Sequence, residues 1–234
     1  MINLSQNGIS NYTLSLSEAV VRYIEDKILS GDMVAGDKIN EYAISSELNI
    51  SRAPIREAMS ELQAAGIIEH KPRKSGLVSM FTKEDVDEIF DIRISLEKDI
   101  IRLAIVNNYI NEEHIENMKQ LADNMLKNAE KTDHSSDVFT LNKLDLEFHT
   151  YLWDIAKSPR RSRMLHNIFM QLIIALNQNT STLGKLEDKA KEHIEYIFAL
   201  ENKDIAKAQD ILEKHLTVYK KELYTKIYNE DYTL

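Results

Sequence analysis

The sequence has no cysteine and very little glycine or proline. Its 234 residues include 6 Gly and 3 Pro. The lack of cysteine excludes disulfide bonds and thiolate metal ligands, and the scarcity of chain-breaking residues favours long helices with few turns. The sequence also has no signal peptide and no apolar run near the length of a membrane span. We therefore expect a cytoplasmic protein without a membrane partner, built as two domains or one large one.

The chain carries little excess positive charge in any long segment, and its net charge is −9. Residues 1–80 contain 8 Lys and Arg against 10 Asp and Glu, and residues 81–234 contain 21 against 28. Such an acidic body disfavours a protein that coats nucleic acid non-specifically, because each phosphate contact works against overall repulsion. It does not exclude a sequence-specific regulator, in which the local placement of a few arginines decides binding.

Residues 41–66 predict two short helices joined by a tight turn. Glu41–Leu48 has apolar residues at helical spacing, and the pattern breaks before Ser51, which can cap a second helix. Arg52 and Arg56 lie one turn apart at the start of that second helix. This arrangement is typical of a recognition helix, because its first turns must reach base edges in the major groove and Arg bonds guanine bidentately.

Two short strands are predicted after Gly66, which ends the second helix. They cover residues 67–70 and 77–80 and flank a basic tip, so the segment predicts a helix-turn-helix with a wing. The candidate DNA-binding residues are Ser51, Arg52, Pro54, Arg56, Arg73, Lys74, Ser75 and Gly76. The alternative is that Arg52 and Arg56 are solvated charges on a small helical domain.

A long helix is predicted to begin at Thr82, where Thr82 and Asp85 have the spacing of a capping box. We place the domain boundary there, with residues 1–80 as the winged domain and residues 81–234 as the second domain. No strand-like alternation follows residue 80. The predicted fold class is therefore mostly α, a winged helix-turn-helix domain followed by an all-α antiparallel helical bundle. The later helices are predicted to begin near Asn111, Asp137, Ser158 and Lys185 and after a cap at Asn202.

Four ionisable residues fall on the apolar stripes of the predicted bundle helices. Asp145 and His149 are four residues apart and share one helix face, and His193 and His215 lie among apolar residues of two later helices. Burying three histidines and an aspartate in one small bundle requires a common partner. A divalent metal supplies that partner, with Zn as the first choice and Ni, Co or Mn as alternatives. Separate hydrogen-bonded core histidines are the competing interpretation.

The N-terminal segment resembles the winged-helix reader of the GntR family of bacterial transcription regulators. Two departures are Ala35, where the family usually has Pro, and Tyr42, where one branch has a further DNA-contacting Arg. The matching residues are Ile28, Gly31, Gly36, Ile39, Glu41, Ser51, Arg52, Pro54, Arg56, Glu57, Ala58, Leu62, Gly66, Ile67, Gly76 and Val78.

The C-terminal segment resembles the FCD-type effector domain of the FadR branch of that family. The resemblance implies that Asp145 and the three histidines hold one metal, with open coordination positions facing a cavity for a small carboxylate. One departure is the Ser158–Arg161 segment, where the family commonly has Gly-Asn. The matching residues are Arg93, Leu96, Glu97, Asp145, His149, His193, Ala199, Leu200, Asp204, Ala208 and His215.

Arg93 is the candidate anchor for such an effector. It lies on the apolar stripe of its predicted helix, and a buried Arg is costly unless it is paired, for example with a metabolite carboxylate. The alternative is a surface pair between Arg93 and Glu97. Asn177 is a second candidate for the same pocket.

These observations predict a homodimeric transcription regulator. The family resemblance favours a repressor over an activator. The regulator would bind a near-palindromic double-stranded DNA operator and respond to a small organic acid. The main alternative is a metal-dependent enzyme in which Asp and three His activate water. Against it, no additional carboxylate is placed to act as a general base, and the reader would be unexplained. A third possibility is a helical scaffold whose wing binds another protein.

Overall fold

The computed structural model of the chain describes residues 15–69, 76–131, 136–177 and 186–225. Within these ranges the chain forms nine helices and three short strands, in agreement with the predicted mostly-α class. No helix in these ranges is both long and apolar enough to cross a membrane. The elements are α1 (Leu16–Leu29), β1 (Lys38–Ile39), α2 (Glu41–Leu48), α3 (Arg52–Ala64), β2 (Ile68–Glu69), β3 (Gly76–Val78), α4 (Lys83–Val106), α5 (Glu112–Lys131), α6 (Ser136–Ile155), α7 (Pro159–Asn177), α8 (Leu186–Glu201) and α9 (Ile205–Leu223).

The winged helix-turn-helix domain, called the reader below, consists of α1, α2 and α3 with a three-stranded antiparallel sheet in the order β1-β3-β2. Lys38 pairs with Leu77, and Ile68 pairs with Val78. The two strands of the wing were predicted, although both are shorter than expected. β1 was not predicted, because a strand of two residues has no alternation to read and depends on its pairing with β3.

Local capping sets most helix starts. Thr82 and Asp85 form the predicted reciprocal capping box of α4. α1 is capped by Ser15, whose side chain accepts from the backbone N–H of Glu18, while the Glu18 side chain accepts from the backbone N–H of Ser15. One predicted cap was wrong. α9 is capped by Asp204, because the Asn202 side chain instead donates to the Phe198 carbonyl at the end of α8.

The six later helices form a bundle around one apolar core. α5 packs against α6 and α8, while α4 packs against α7 and α9. The largest buried side chains of this core include Trp153, Phe148 and Phe169. All residues from Lys83 to Leu223 that belong to regular elements in the described part of the chain are helical, as predicted.

Helix α7 connects the bundle to the reader through side-chain hydrogen bonds. Gln171 Nε2 donates to the Ala65 carbonyl at the end of α3, at 2.7 Å. His166 Nε2 lies 3.0 Å from Glu25 Oε1 of α1. Gly66 has a φ of +70°, and a Cβ there would lie 2.7 Å from Gln171 Nε2. Glycine is therefore required both for the backbone conformation and for this close contact.

Candidate DNA-reading surface and metal centre

The start of α3 presents its arginines to solvent. Asn49 ends α2 with a left-handed φ of 53°, and Ser51 is the N-cap residue of α3, although its side chain makes no capping hydrogen bond. Arg52 is exposed, and the Arg56 side chain is 71% exposed with one long contact of 3.8 Å to Glu41. The helix-turn-helix geometry therefore leaves both guanidinium groups available for an external partner.

Tyr42 is a feature of this surface that was not among the predicted DNA-binding residues. It is 68% exposed, and the Arg52 guanidinium lies 5.9 Å from the centre of its ring. At this distance the ring can make a cation–π contact with one of the two arginines of the surface. The available signal was its position, where one branch of the resembled family has Arg.

The remaining predicted DNA-binding residues divide into three groups. Pro54 is half-buried in the first turn of α3. Arg73, Lys74 and Ser75 lie outside the described residues. The prediction for Gly76 is corrected, because this residue is buried at the start of β3, and a Cβ there would lie 2.3 Å from the Met59 side chain. Its role is to let the strand approach α3.

Asp145, His149, His193 and His215 come together from three helices, as predicted. One ligand atom from each lies within 4.8 Å of every other, and all three histidines are buried or nearly so. Asp145 Oδ1 lies 3.1 Å from His193 Nε2 and 3.8 Å from His149 Nε2. These residues can therefore reach a common centre, which separate core histidines would not require.

A second layer of carboxylates orients two of the histidines. Glu97 Oε2 lies 2.9 Å from His149 Nδ1, and Glu192 Oε2 lies 2.6 Å from His215 Nδ1. A histidine that donates Nδ1–H to a carboxylate keeps its Nε2 lone pair for a metal. His149 Nε2 is buried and has no hydrogen-bond partner in the described part of the chain.

The protonation states of the cluster suit a cation. Burial alone would raise the pKa of Asp145, but the charge of His149 and the hydrogen bond from His193 outweigh it and hold that pKa well below its ordinary value. Burial lowers the pKa of His215 to about 4, against the opposing effect of Glu192. The aspartate is therefore ionised and His215 neutral near pH 7, which are the forms that bind a metal.

Arg93 is buried, as predicted for an effector anchor, but it is not unpaired. Its side chain is 1% exposed, and its Nε donates to Glu97 Oε1 at 2.6 Å. The predicted alternative of a surface pair is thus wrong about the surface and right about the partner. The guanidinium lies 4.8 Å from the ring centre of Phe169, and its Nη2 has no partner among the described residues.

Glu97 therefore connects the candidate anchor to the candidate metal ligand. Burial alone would raise its pKa, but the charges of His149 and Arg93 outweigh that effect and lower the pKa to about 2. The carboxylate is ionised and accepts from both neighbours at once. The sequence identified Glu97 only as part of a resembled motif, because the pairing with His149 spans 52 positions.

Asn177 does not join this site. It is the last residue of α7, and its amide nitrogen donates to the Ile28 carbonyl of α1 at 2.9 Å. Its buried amide contributes to the contact between bundle and reader, and we no longer assign it to the effector pocket.

A small cavity adjoins the cluster and contains one residue that sequence reasoning missed. Tyr196 is buried, and its hydroxyl has no hydrogen-bond partner among the described residues. Burial, together with the nearby charge of Glu97, raises the pKa of Tyr196 well above its ordinary value, so the group is a neutral donor. The only sequence signal was its position one turn after His193. The cavity is lined by His149, Glu192, His193, Tyr196, Ile211, Leu212 and His215.

The chain is similar to known bacterial regulators along most of its length. It matches the FCD domain family over residues 88–218 and the gntR family of bacterial regulatory proteins over residues 16–78. It is 30% identical over 146 residues to the uncharacterized HTH-type transcriptional regulator YdhC of Bacillus subtilis (strain 168), and this match covers 62% of each chain, less than two thirds of that relative.

Two further comparisons cover nearly the whole chain. It is 28% identical over 205 residues to the probable D-xylose utilization operon transcriptional repressor of Paenarthrobacter nicotinovorans, which covers 88% of this chain and 87% of that one. The solved structure of E. coli McbR/YncC superposes with a TM-score of 0.80 at 19% identity, covering 92% of this chain and 100% of that one. At that identity, the superposition shows a shared fold.

Proposed function

This chain belongs to the gntR family of bacterial regulatory proteins and carries an FCD domain. From that premise we propose that it is a transcriptional repressor, and that a small carboxylate bound at a metal site controls its DNA binding. Its matched domains and its relatives are those of transcription regulators and not of enzymes. The metal-dependent enzyme is therefore set aside. We assign the chain to the FadR branch, with residues 1–80 as the reader and residues 81–234 as the sensor, acting in the cytoplasm.

The observation that carries the proposal is the convergence of four ligand atoms within 4.8 Å from three helices. The donor set fits a divalent cation, because it combines one ionised carboxylate with buried imidazoles, and His149 Nε2 has no hydrogen-bond partner among the described residues. Asp145, His149, His193 and His215 would hold one metal per chain. Zn accepts four such ligands, whereas Ni, Co and Mn accept six and would keep two positions for effector oxygens.

Arg93 provides the second half of the proposed effector site. Its guanidinium is buried and shares the Glu97 carboxylate with His149, and Nη2 remains without an acceptor among the described residues. A carboxylate is the group that best satisfies such a donor. The proposed effector is thus a small hydroxy, keto or sugar acid. A role in sugar metabolism would agree with the name of the relative described as a D-xylose operon repressor.

DNA binding is assigned to the start of α3 and to the wing. Arg52 and Arg56 would read guanines, while Arg73 and Lys74 would contact phosphates. Operators of such readers are near-palindromic, and a homodimer would present two copies of this surface with matching two-fold symmetry.

Helix α7 is the element through which we propose that the two sites communicate. Phe169 lies under the Arg93 guanidinium, and Gln171, two residues later, bonds the carbonyl of Ala65 at the end of α3. A ligand that binds Arg93 therefore acts on α7, the helix that is hydrogen-bonded to the end of the recognition helix α3. The ligand can change how the winged domain is held against the bundle only if it binds one arrangement of the two domains more tightly than another.

The test is to measure operator affinity with and without candidate acids. An operator selected from random DNA is titrated with the metal-loaded chain in the presence of lactate, malate, citrate or gluconate. An effector should change the affinity by about 5- to 150-fold, the range for coupled sites. An affinity that no acid of this class changes, in protein that binds DNA and metal, would contradict the proposal.

A further inference from the structure

The interior of the sensor contains hydrogen-bond donors that have no acceptor among the described residues. Arg93 Nη2, Asn142 Nδ2, Trp153 Nε1 and the Tyr196 hydroxyl are all buried and lack a partner. Most buried polar atoms in proteins are hydrogen-bonded, so each exception requires an explanation. Because each of these groups can donate, the partner that each one lacks is an acceptor.

Of these four groups, Tyr196 lines the cavity that adjoins the candidate metal ligands. It lies on α8, one turn after His193, and lines the cavity together with all three histidines of the cluster. Its ring centre lies 6.2 Å from that of Phe148, which itself stacks edge-on against His193 at 4.5 Å. The ring is therefore held in place by packing, while its hydroxyl has no hydrogen-bond partner in the described part of the chain.

Glu97 and Arg93 are connected to this cavity through His149, which lines it and contacts Glu97 Oε2 at 2.9 Å. Both charges act on Tyr196 strongly enough to perturb its ionisation, in opposite directions. Glu97 is already used by Arg93 and His149, which donate to its two oxygens at 2.6 and 2.9 Å. Arg93 can offer only donors. Neither group therefore offers a free acceptor to the Tyr196 hydroxyl, and an oxygen of a ligand in the cavity would supply one.

We propose that the Tyr196 hydroxyl is a specificity-determining group of the effector site, which donates a hydrogen bond to an oxygen of the acid that binds at the metal. This inference rests on the proposed function. It narrows the effector class to acids with acceptor oxygens at two ends, one set facing the metal and one facing Tyr196. Dicarboxylic acids and polyhydroxy acids meet that requirement, and monocarboxylic acids with an apolar tail do not.

The test compares Tyr196→Phe with the matched control Tyr151→Phe. The Tyr151 hydroxyl is satisfied, because it accepts from Asn117 Nδ2 at 2.8 Å. Both full-length variants and the wild type are loaded with metal and titrated calorimetrically with malate, citrate, gluconate and butyrate. Tyr196→Phe should weaken binding of the acids that the wild type accepts by about 10- to 100-fold, the loss expected for one hydrogen bond to a charged group.

The melting temperature without acid provides a readout that distinguishes binding from structural support. Removal of an unsatisfied buried hydroxyl should raise the melting temperature of Tyr196→Phe by about 2–10 °C. Tyr151→Phe, which loses a satisfied hydroxyl, should instead lower it and leave acid affinity unchanged. Metal content should be the same in all three proteins.

Four results would overturn the inference, and the last of them also contradicts the proposed function. Acid affinities of Tyr196→Phe within twofold of wild type would show that the hydroxyl does not touch the ligand. A lower melting temperature for Tyr196→Phe would show that the hydroxyl has a partner in the free protein. Wild type that binds butyrate but none of the oxygen-rich acids would refute the ligand class. Wild type that binds metal and no acid at all contradicts the proposed function itself, and this inference falls with it.

Discussion

Replacement of Glu97 by Gln tests the buried network between the candidate anchor and the candidate metal ligand. Glu97 and Arg93 are each 1% exposed, and the carboxylate accepts from Arg93 Nε and His149 Nδ1. A glutamine has the same shape but cannot accept from both neighbours. Whichever way its amide is oriented, its NH2 group faces either the guanidinium or the Nδ1–H of His149.

Both orientations carry a calculable loss. If the amide oxygen faces His149, two donors oppose each other at Arg93, and a buried charge without its partner costs about 3–5 kcal/mol. For a chain of this size, that corresponds to a melting temperature about 6–20 °C lower. If the NH2 group faces His149, the ring must move its proton to Nε2, which removes the lone pair for the metal. Loss of such an outer-shell partner typically lowers metal affinity by about 10- to 100-fold.

The assay is urea unfolding of chelator-treated protein, together with metal competition against a chromophoric chelator. Asp210→Asn is the matched control, because Asp210 and Lys214 have the same i,i+4 spacing at 2.7 Å but are 56% and 73% exposed. It should leave both measurements unchanged. Glu97→Gln that unfolds within 1 kcal/mol of wild type and binds metal within threefold would refute the reasoning about this network.

Acid titration adds a check on the same residue. Because the pKa of Glu97 is lowered from 4.5 to about 2 in the folded chain, its contribution to stability is complete above about pH 4.5 and is lost as the pH falls toward 2. Unfolding free energy measured across that window should fall less steeply in Glu97→Gln. If the unfolding free energies of the variant and the wild type fall in parallel with pH, the pKa of Glu97 is not lowered in the folded chain.

Four further substitutions test other parts of the molecule. Arg56→Ala should weaken operator binding by about 1–3 kcal/mol and binding to random DNA by much less. Lys74→Ala should weaken binding to both DNAs and reduce the slope of log affinity against log salt concentration by about one. Equal losses of affinity for Arg56→Ala on the two DNAs would refute the base-reading role. His193→Ala should lose its metal and its sensitivity to chelators, and full stoichiometry by elemental analysis would refute the site. Gly66→Ala should lose the hydrogen bond from Gln171 Nε2 to the Ala65 carbonyl and lower the unfolding free energy in urea by about 1–3 kcal/mol. An unchanged urea unfolding curve would show that the chain accommodates the added methyl group without loss of stability.

The elements that the sequence predicted best are those set by local chemistry. α2 ends at the left-handed Asn49 and α3 begins after Ser51, so their bounds could be placed to within about a residue. The candidate metal ligands were also predictable, because helical periodicity alone placed His149, His193 and His215 on buried faces.

The features that escaped prediction depend on partners far away in the chain. Asn177 bonds a carbonyl 149 positions earlier, and Gly76 is buried because Met59 packs over it. No spacing rule reveals such neighbours. β1 exists only through its pairing with β3. The missing partner of the Tyr196 hydroxyl is a property of the packed interior, so only the structure could identify it.

The central claim is that a metal at Asp145 and the three histidines is the place where a small acid binds. The most direct test is a thermal-shift screen of small organic acids on the purified full-length chain, repeated after chelation. The account predicts that at least one acid raises the melting temperature of the metal-loaded protein, by an amount equivalent to about 2.7 kcal/mol at a hundredfold excess over its dissociation constant, and that chelation abolishes the shift. An acid that stabilises the chelated protein equally well would show that the sensor binds its ligand without the metal.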